Sequence, residues 1–197
     1  MQIEFVGAAQ TVTGSRHLIR TSQATVLLDC GMFQGRRRES NERNRTLGVH
    51  PREITSVVLS HAHIDHSGAL PLLVQQGYRG PIYATPATRD LCAVMLADAA
   101  MIQEADARYI NKSIERDHAD MEPVEPLYSQ GDVTATLEQM APVPYHRRQK
   151  IAPGIHATFI DAGHVLGSAI TLLDIDDDGE HKRVVFSGDL GLSLIHI

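Results

Sequence analysis

Between Ser60 and Gly68 the chain reads Ser60-His61-Ala62-His63-Ile64-Asp65-His66-Ser67-Gly68. Three imidazoles and one carboxylate fall within six residues. Neutral imidazole and carboxylate are the usual protein donors to zinc and neighbouring divalent ions. A lone histidine is ordinary core or surface material, and one His-X-His pair is a weak signal. Four polar groups packed at the end of an apolar run need partners or water. A metal site is the simplest reason for them.

The elements that must hold these groups can be read on either side. Ser56-Val57-Val58-Leu59-Ser60 is short, β-branched and apolar, and predicts a buried strand. Gly68-Ala69-Leu70-Pro71-Leu72-Leu73-Val74 predicts the first turns of a helix. The motif then lies on a strand-to-helix turn. If extended geometry continues past Ser60, His61 and His63 point to one side. Asp65 and His66 leave the turn and can serve a second ion close by.

Other acids and a histidine also stand at strand ends. Residues 2–6 predict a first strand, followed by a glycine-bounded loop over 7–14. Residues 16–21 and 24–30 predict a hairpin, with Asp29 near its end and Cys30 as a small buried residue. Asp29 alone reads as a turn residue. Residues 82–84 predict a short buried strand. Residues 86–117 carry apolar positions at three- and four-residue steps, which predicts two helices or one bent one. Residues 129–140 predict a helix capped by Ser129 with Asp132 three residues on, broken by Pro142 and Pro144. Strands are expected again over 155–160, 170–175 and 182–187, with Asp176-Asp177-Asp178-Gly179 as a hairpin turn. His164 follows the first of these strands, between Gly163 and Gly167. Asp189 follows the last. Strands, then helices, then strands suggest helices packed outside a sheet sandwich.

Composition bounds the rest. The 197 residues suffice for one domain with a real core. The apolar fraction is 43% and the charged fraction 21%, as in a globular protein. A net charge of -6 excludes the whole surface as a polyanion-binding face. Only residues 35–45 are strongly basic, with Arg36, Arg37, Arg38, Arg43 and Arg45 against Glu39 and Glu42. That run predicts a solvated loop and is the candidate phosphate contact. Two cysteines do not make a secreted disulfide framework. The start of the chain lacks a basic and then apolar leader, and no apolar run spans a bilayer. A cytoplasmic protein without membrane association is expected. Oligomeric state is left open.

Taken together, Asp29, His61, His63, Asp65, His66, His164 and Asp189 resemble the metal motifs of the metallo-β-lactamase superfamily, whose best-known signature is Thr/Ser-His-X-His-X-Asp-His. Finer motifs resemble its β-CASP branch of RNA-processing nucleases. These are Phe5-Val6-Gly7-Ala8 with Val12-Thr13-Gly14-Ser15, Leu28-Asp29-Cys30-Gly31 with Phe33-Gln34-Gly35, Gly80-Pro81-Ile82-Tyr83, the segment from Asp161 to Ala169, and Phe186-Ser187-Gly188-Asp189-Leu190-Gly191. The resemblance implies an α/β fold, an αββα sandwich. It implies two Zn2+ ions: His61, His63 and His164 on the first, Asp65 and His66 on the second, and Asp189 bridging. Asp29 is implied as the buried acid that orients a ligand. It implies RNA hydrolysis by a hydroxide shared between the ions, with Asp65 as proton acceptor.

The chain departs from that branch after residue 191. The β-CASP insert, its leaving-group histidine and the last second-ion histidine are not found. His196 lies in no such motif. Residues 1–191 are therefore expected to be the N-terminal portion of the domain, incomplete at the C-terminus, and 192–197 an atypical tail of a truncated chain. Such a piece is expected to bind at least one metal ion and to be a poor nuclease. Two alternatives stand beside RNA hydrolysis: a single-domain hydrolase of thioesters, lactones or β-lactams, and a non-catalytic metal-stabilised RNA-processing subunit.

Overall fold

A computed structural model describes residues 1–116 and 121–192. The first sheet contains β1 (Gln2–Phe5), β2 (His17–Arg20), β3 (Thr25–Leu28), β4 (Ser56–Val58), β5 (Ile82–Ala84) and β6 (Met140–Pro142), in that spatial order. β1, β2 and β3 pair antiparallel, and β3 to β6 pair parallel. The second sheet is antiparallel, in the order β10 (Glu180–Phe186), β9 (Ala169–Asp177), β8 (Ile155–Asp161) and β7 (Gln149–Ala152).

Side-chain alternation builds two cores from one sheet. Leu18, Leu27, Val57 and Leu59 point to a helix-covered core with Leu70, Leu73, Cys92, Leu96 and Val133. Ile19, Val26, Leu28 and Val58 point the other way, against Ile155, Ala157, Phe159 and Leu173 of the second sheet. β4 is buried on both faces, which explains why it is a continuous apolar run. Each of the Val, Leu, Ile and Phe side chains among these core residues contributes about 1.5–3 kcal/mol on burial.

The helices are α1 (Arg37–Arg45), α2 (Ile64–Ser67), α3 (Leu70–Gln75), α4 (Pro86–Arg116) and α5 (Gln130–Gln139). The helix-covered core and the inter-sheet core lie on opposite faces of the first sheet, so the layers seen among the described residues are helix, sheet and sheet. No described helix is long and apolar enough to cross a membrane.

Several expectations are revised. The basic stretch expected as a loop is helical from Arg37. Its nine residues contain no apolar position, so there was no period to read. The 86–117 region is one helix through Arg116, since buried Thr88, Cys92, Leu96, Ala100 and Ala107 keep a single face. Met140 opens β6 rather than closing α5, because pairing with Ile82 outweighs local propensity. β7 was not anticipated. The Asp178-Gly179 turn has φ of 51° and 81°, the positive pair a two-residue hairpin needs. His196 and the tail reading, apart from Leu192, lie outside the described residues.

The α5 start carries the capping box expected from Ser129 and Asp132. Ser129 Oγ accepts from the Asp132 amide at 3.3 Å, and Asp132 Oδ2 accepts from the Ser129 amide at 2.8 Å. Ser129→Ala is expected to cost about 1 kcal/mol of stability. Chemical denaturation checks this, and an unchanged midpoint would contradict it.

Candidate metal centre

Every candidate residue sits just past the end of a strand. β3 ends at Leu28 and delivers Asp29. β4 ends at Val58, Leu59 N still donates to Tyr83 O at 2.9 Å, and the chain runs on through His61 and His63 into α2, which carries Asp65 and His66. His164 lies in the turn between β8 and β9, and Asp189 three residues past β10. Ala169 N donates to Ser60 O at 2.9 Å, so the start of β9 is stitched to the histidine segment.

Three imidazoles meet. His61 Nε2 lies 3.1 Å from His63 Nδ1, and His164 Nε2 lies 3.2 Å from the same atom. Two nitrogens bound to one tetrahedral ion at about 2.0–2.1 Å would be about 3.3–3.4 Å apart. The cluster is thus close to ligand spacing. Asp189 Oδ2 faces it, 3.6 Å from His164 Nε2 and 4.0 Å from His61 Nε2. One donor atom from each of His61, His63, His164 and Asp189 lies within 4.8 Å of the others, so this group could hold a metal ion.

A second set stands beside it. Asp189 Oδ1 is 3.4 Å from His66 Nε2, and Asp65 Oδ2 is 3.8 Å from that nitrogen. The two oxygens of one carboxylate thus face different histidine groups.

Asp29 lies beneath both sets. It is wholly buried and has φ of 57°. Oδ1 accepts from Ser60 N at 2.8 Å. Oδ2 accepts from His66 Nδ1 at 2.6 Å, Ser60 Oγ at 2.9 Å and Ser15 Oγ at 3.3 Å. These bonds select tautomers. Ser60 has a single hydroxyl proton, and Asp29 takes it. Ser60 Oγ can then only accept from His61 Nδ1, 3.0 Å away. The Nε2 lone pair of His61 is left facing the cluster. His66 donates through Nδ1 and turns Nε2 to Asp65 and Asp189. Burial, with His66, His63 and His164 around it, pushes the His61 pKa down to about 2, so its ring is neutral. Burial also opposes charge on His66, but the Asp29 hydrogen bond and charge, with Asp189 and Asp65, outweigh it and raise that pKa. The donor set suits a borderline divalent ion: neutral nitrogen, carboxylate oxygen, and the opposite ring nitrogen fixed by a hydrogen bond.

The metallo-beta-lactamase superfamily profile matches residues 13–197. The chain belongs to the metallo-beta-lactamase superfamily. It is similar to Ribonuclease TTHA0252 of Thermus thermophilus, 38% identical over 191 residues, covering 97% of this chain and 38% of that protein. It is also similar to Transcription termination factor FttA of Methanosarcina mazei, 37% identical over 190 residues, covering 96% of this chain and 27% of that protein. The chain thus spans about two fifths or less of the length of these relatives. Among solved structures it is like a Cronobacter sakazakii metallo-beta-lactamase with a HARLDQ motif, mutant S60, with a TM-score of 0.56, 17% identity, and coverage of 96% of this chain and 60% of that one. Rm3 metallo-beta-lactamase gives 0.52, 21%, 93% and 57%. Likeness at that identity speaks for the fold alone.

Within this superfamily chain, close backbone approaches align the groups, and these were not read from sequence. A Cβ at Gly31 would lie 1.6 Å from Asp65 O, one at Gly188 2.8 Å from Ser60 Cβ, and one at Gly191 1.6 Å from Gly163 O. Ser15 and Ser60 are the hydroxyl partners of Asp29, a role that their spacing in the sequence does not mark. Buried Arg16 supports the turn after β3: its guanidinium donates to Gly31 O at 2.8 and 3.0 Å, and to Thr46 O and Leu47 O at 3.0 Å each.

Proposed function

We propose that the protein is a zinc-dependent RNA hydrolase of the β-CASP branch, with residues 1–191 as the N-terminal portion of its catalytic domain. The observation that carries this is the division of Asp189, one oxygen toward His61 and His164 and the other toward His66. A carboxylate so placed can bridge two ions. The names of the relatives, a ribonuclease and transcription termination factors, support RNA as substrate.

In this reading His61, His63 and His164 would hold the first Zn2+, Asp65 and His66 would hold the second, and Asp189 would serve both. Asp29 orients His66 directly and His61 through Ser60. Bound zinc supplies a Lewis acid for phosphoryl oxygens and lowers the pKa of water. The part played by the chain is positional. His61 and His66 are buried and keep water from their side of the centre, and the half-buried Asp65 carboxylate accepts the proton released in hydrolysis.

The test uses the intact protein with a labelled single-stranded RNA. Cleavage is expected to stop on chelation, to return with Zn2+, and to fall at least about a hundredfold in Asp65→Asn, the order seen on removing a proton acceptor. Metal content should drop in His61→Ala and His164→Ala. Cleavage that survives chelation, or unchanged metal content in both variants, would sink the reading.

A further inference from the structure

The metal centre leaves the arginine-rich helix α1 without a role. From residue 36 to 45, five arginines stand against two glutamates, on a chain of net charge -6. We propose that α1 is a docking ledge for the phosphodiester backbone of single-stranded RNA, carried by Arg36 and Arg43 and set beside the metal centre. This inference rests on the RNA-hydrolase reading above.

Placement is the first support. The segment leading into α1 lies on the backbone of the metal motif: Met32 N donates to Ile64 O at 3.0 Å, and Gly31 is pressed against Asp65 O. Arg36 comes four residues after Met32, so their Cα atoms are at most about 14 Å apart. The start of α1 is thus tied, through residues 31–36, to the turn that carries Asp65.

Anchoring is the second. Asn44 is 2% exposed, although it lies in a helix with no apolar residue. Its side chain pairs with both backbone groups of Phe33: Phe33 N donates to Oδ1 at 2.7 Å, and Nδ2 donates to Phe33 O at 2.9 Å. A merely solvated charged helix needs no such clamp.

The third is presentation. The Arg43 guanidinium carbon lies 3.8 Å over the Phe33 ring centroid. Stacking fixes the guanidinium plane and leaves its N–H edges for a phosphate, which a planar fork can bind bidentately. Arg36 and Arg43 are both exposed, and neither has a carboxylate partner among the described residues. They are seven residues apart, about 10 Å along the helix axis. A chain with net negative charge would otherwise repel a polyanion, so local positive charge is what an RNA substrate requires here.

The test is fluorescence anisotropy of a labelled oligoribonucleotide on the zinc-loaded intact protein across a salt series. Removing two phosphate contacts from a single strand should make the log affinity against log salt slope shallower by about 1.4, or 0.7 per contact. Arg36→Gln/Arg43→Gln is expected to show this, with about tenfold weaker binding at low salt. Arg36→Lys/Arg43→Lys should keep most of the slope. Because Arg43 also packs on Phe33, Arg36→Gln alone is the second variant, expected to lose about half the change. An unchanged slope in both glutamine variants overturns the ledge. Hydrolysis of bis(4-nitrophenyl) phosphate by the unaltered protein separates the two readings. Turnover with unchanged slopes rejects only the ledge, and no turnover of either substrate rejects the hydrolase.

Discussion

Gly191→Ala is expected to weaken metal binding by at least tenfold, although residue 191 offers no ligand atom. A Cβ there would lie 1.6 Å from Gly163 O, 2.2 Å from Gly163 C and 2.8 Å from His164 N. All three are backbone atoms, so no side chain can rotate away. Gly191 N also donates to Ala162 O at 2.9 Å, which holds the two segments together. Relief requires them to part by more than an ångström. Asp189 lies two residues before the clash and His164 one residue beyond it. A site that tolerates about 0.5 Å of misplacement loses its geometry under such a shift. Overpacking of this kind also costs about 1–3 kcal/mol in stability. Competition against a chromogenic chelator measures the affinity. Gly131→Ala is the companion variant, because its nearest contact is Ser129 Oγ at 3.5 Å and its backbone needs no positive φ. Equal metal affinity in the Gly191 and Gly131 variants would show that the contact has no bearing on the centre.

Asp29→Asn should be more damaging to the fold. The Asp29 carboxylate accepts four hydrogen bonds and is wholly buried, away from bulk solvent. An amide keeps one acceptor oxygen and turns an NH2 group toward donors. If oxygen faces Ser60 N, the NH2 group meets His66 Nδ1, Ser60 Oγ and Ser15 Oγ. Breaking a buried charged network of this kind costs about 3–5 kcal/mol. The tautomer constraint is lost as well. Ser60 no longer has an acid to donate to, and His66 no longer has its Nδ1 partner. Loss of such outer hydrogen bonds typically lowers metal affinity about 10–100-fold. Urea denaturation without metal and zinc titration of the folded protein read the two effects separately. Wild-type values in both would remove Asp29 from its central position.

Much of the centre could be read because acids and histidines directly follow short apolar runs. Val57-Val58-Leu59 before His61 and Val26-Leu27-Leu28 before Asp29 are the clearest. What joins these ends in space could not be read from periodicity. His164 and Asp189 come from the second sheet, and nothing local to either says which strand end it will face. Their place came through resemblance to a family. The close approaches at Gly31, Gly188 and Gly191 escaped for a related reason, since a glycine does not announce which distant carbonyl it will touch. Helix α1 was lost because apolar spacing was the signal and α1 has none. Its buried contact is polar, through Asn44. β7 was lost because Gln149-Lys150-Ile151-Ala152 alternates only weakly, and its pairing with β8 decides its state.

Asp177 marks the other end of β9, where its Oδ1 accepts from Ser22 N at 2.9 Å and from Ser22 Oγ at 2.7 Å. Ser22 lies in the turn before β3, and Asp29 lies just after that strand. The two sheets are therefore buckled at both ends, by a permanent polar latch at Ser22 and Asp177 and by the histidine and acid cluster at the other. The second buckle draws donors from both layers, so an ion held there would also act as a rivet across the sandwich. Occupancy and rigidity would then rise together. Without an ion, that end would rest on backbone contacts such as the hydrogen bond from Ala169 N to Ser60 O, with Val58 and Phe159 buried behind it.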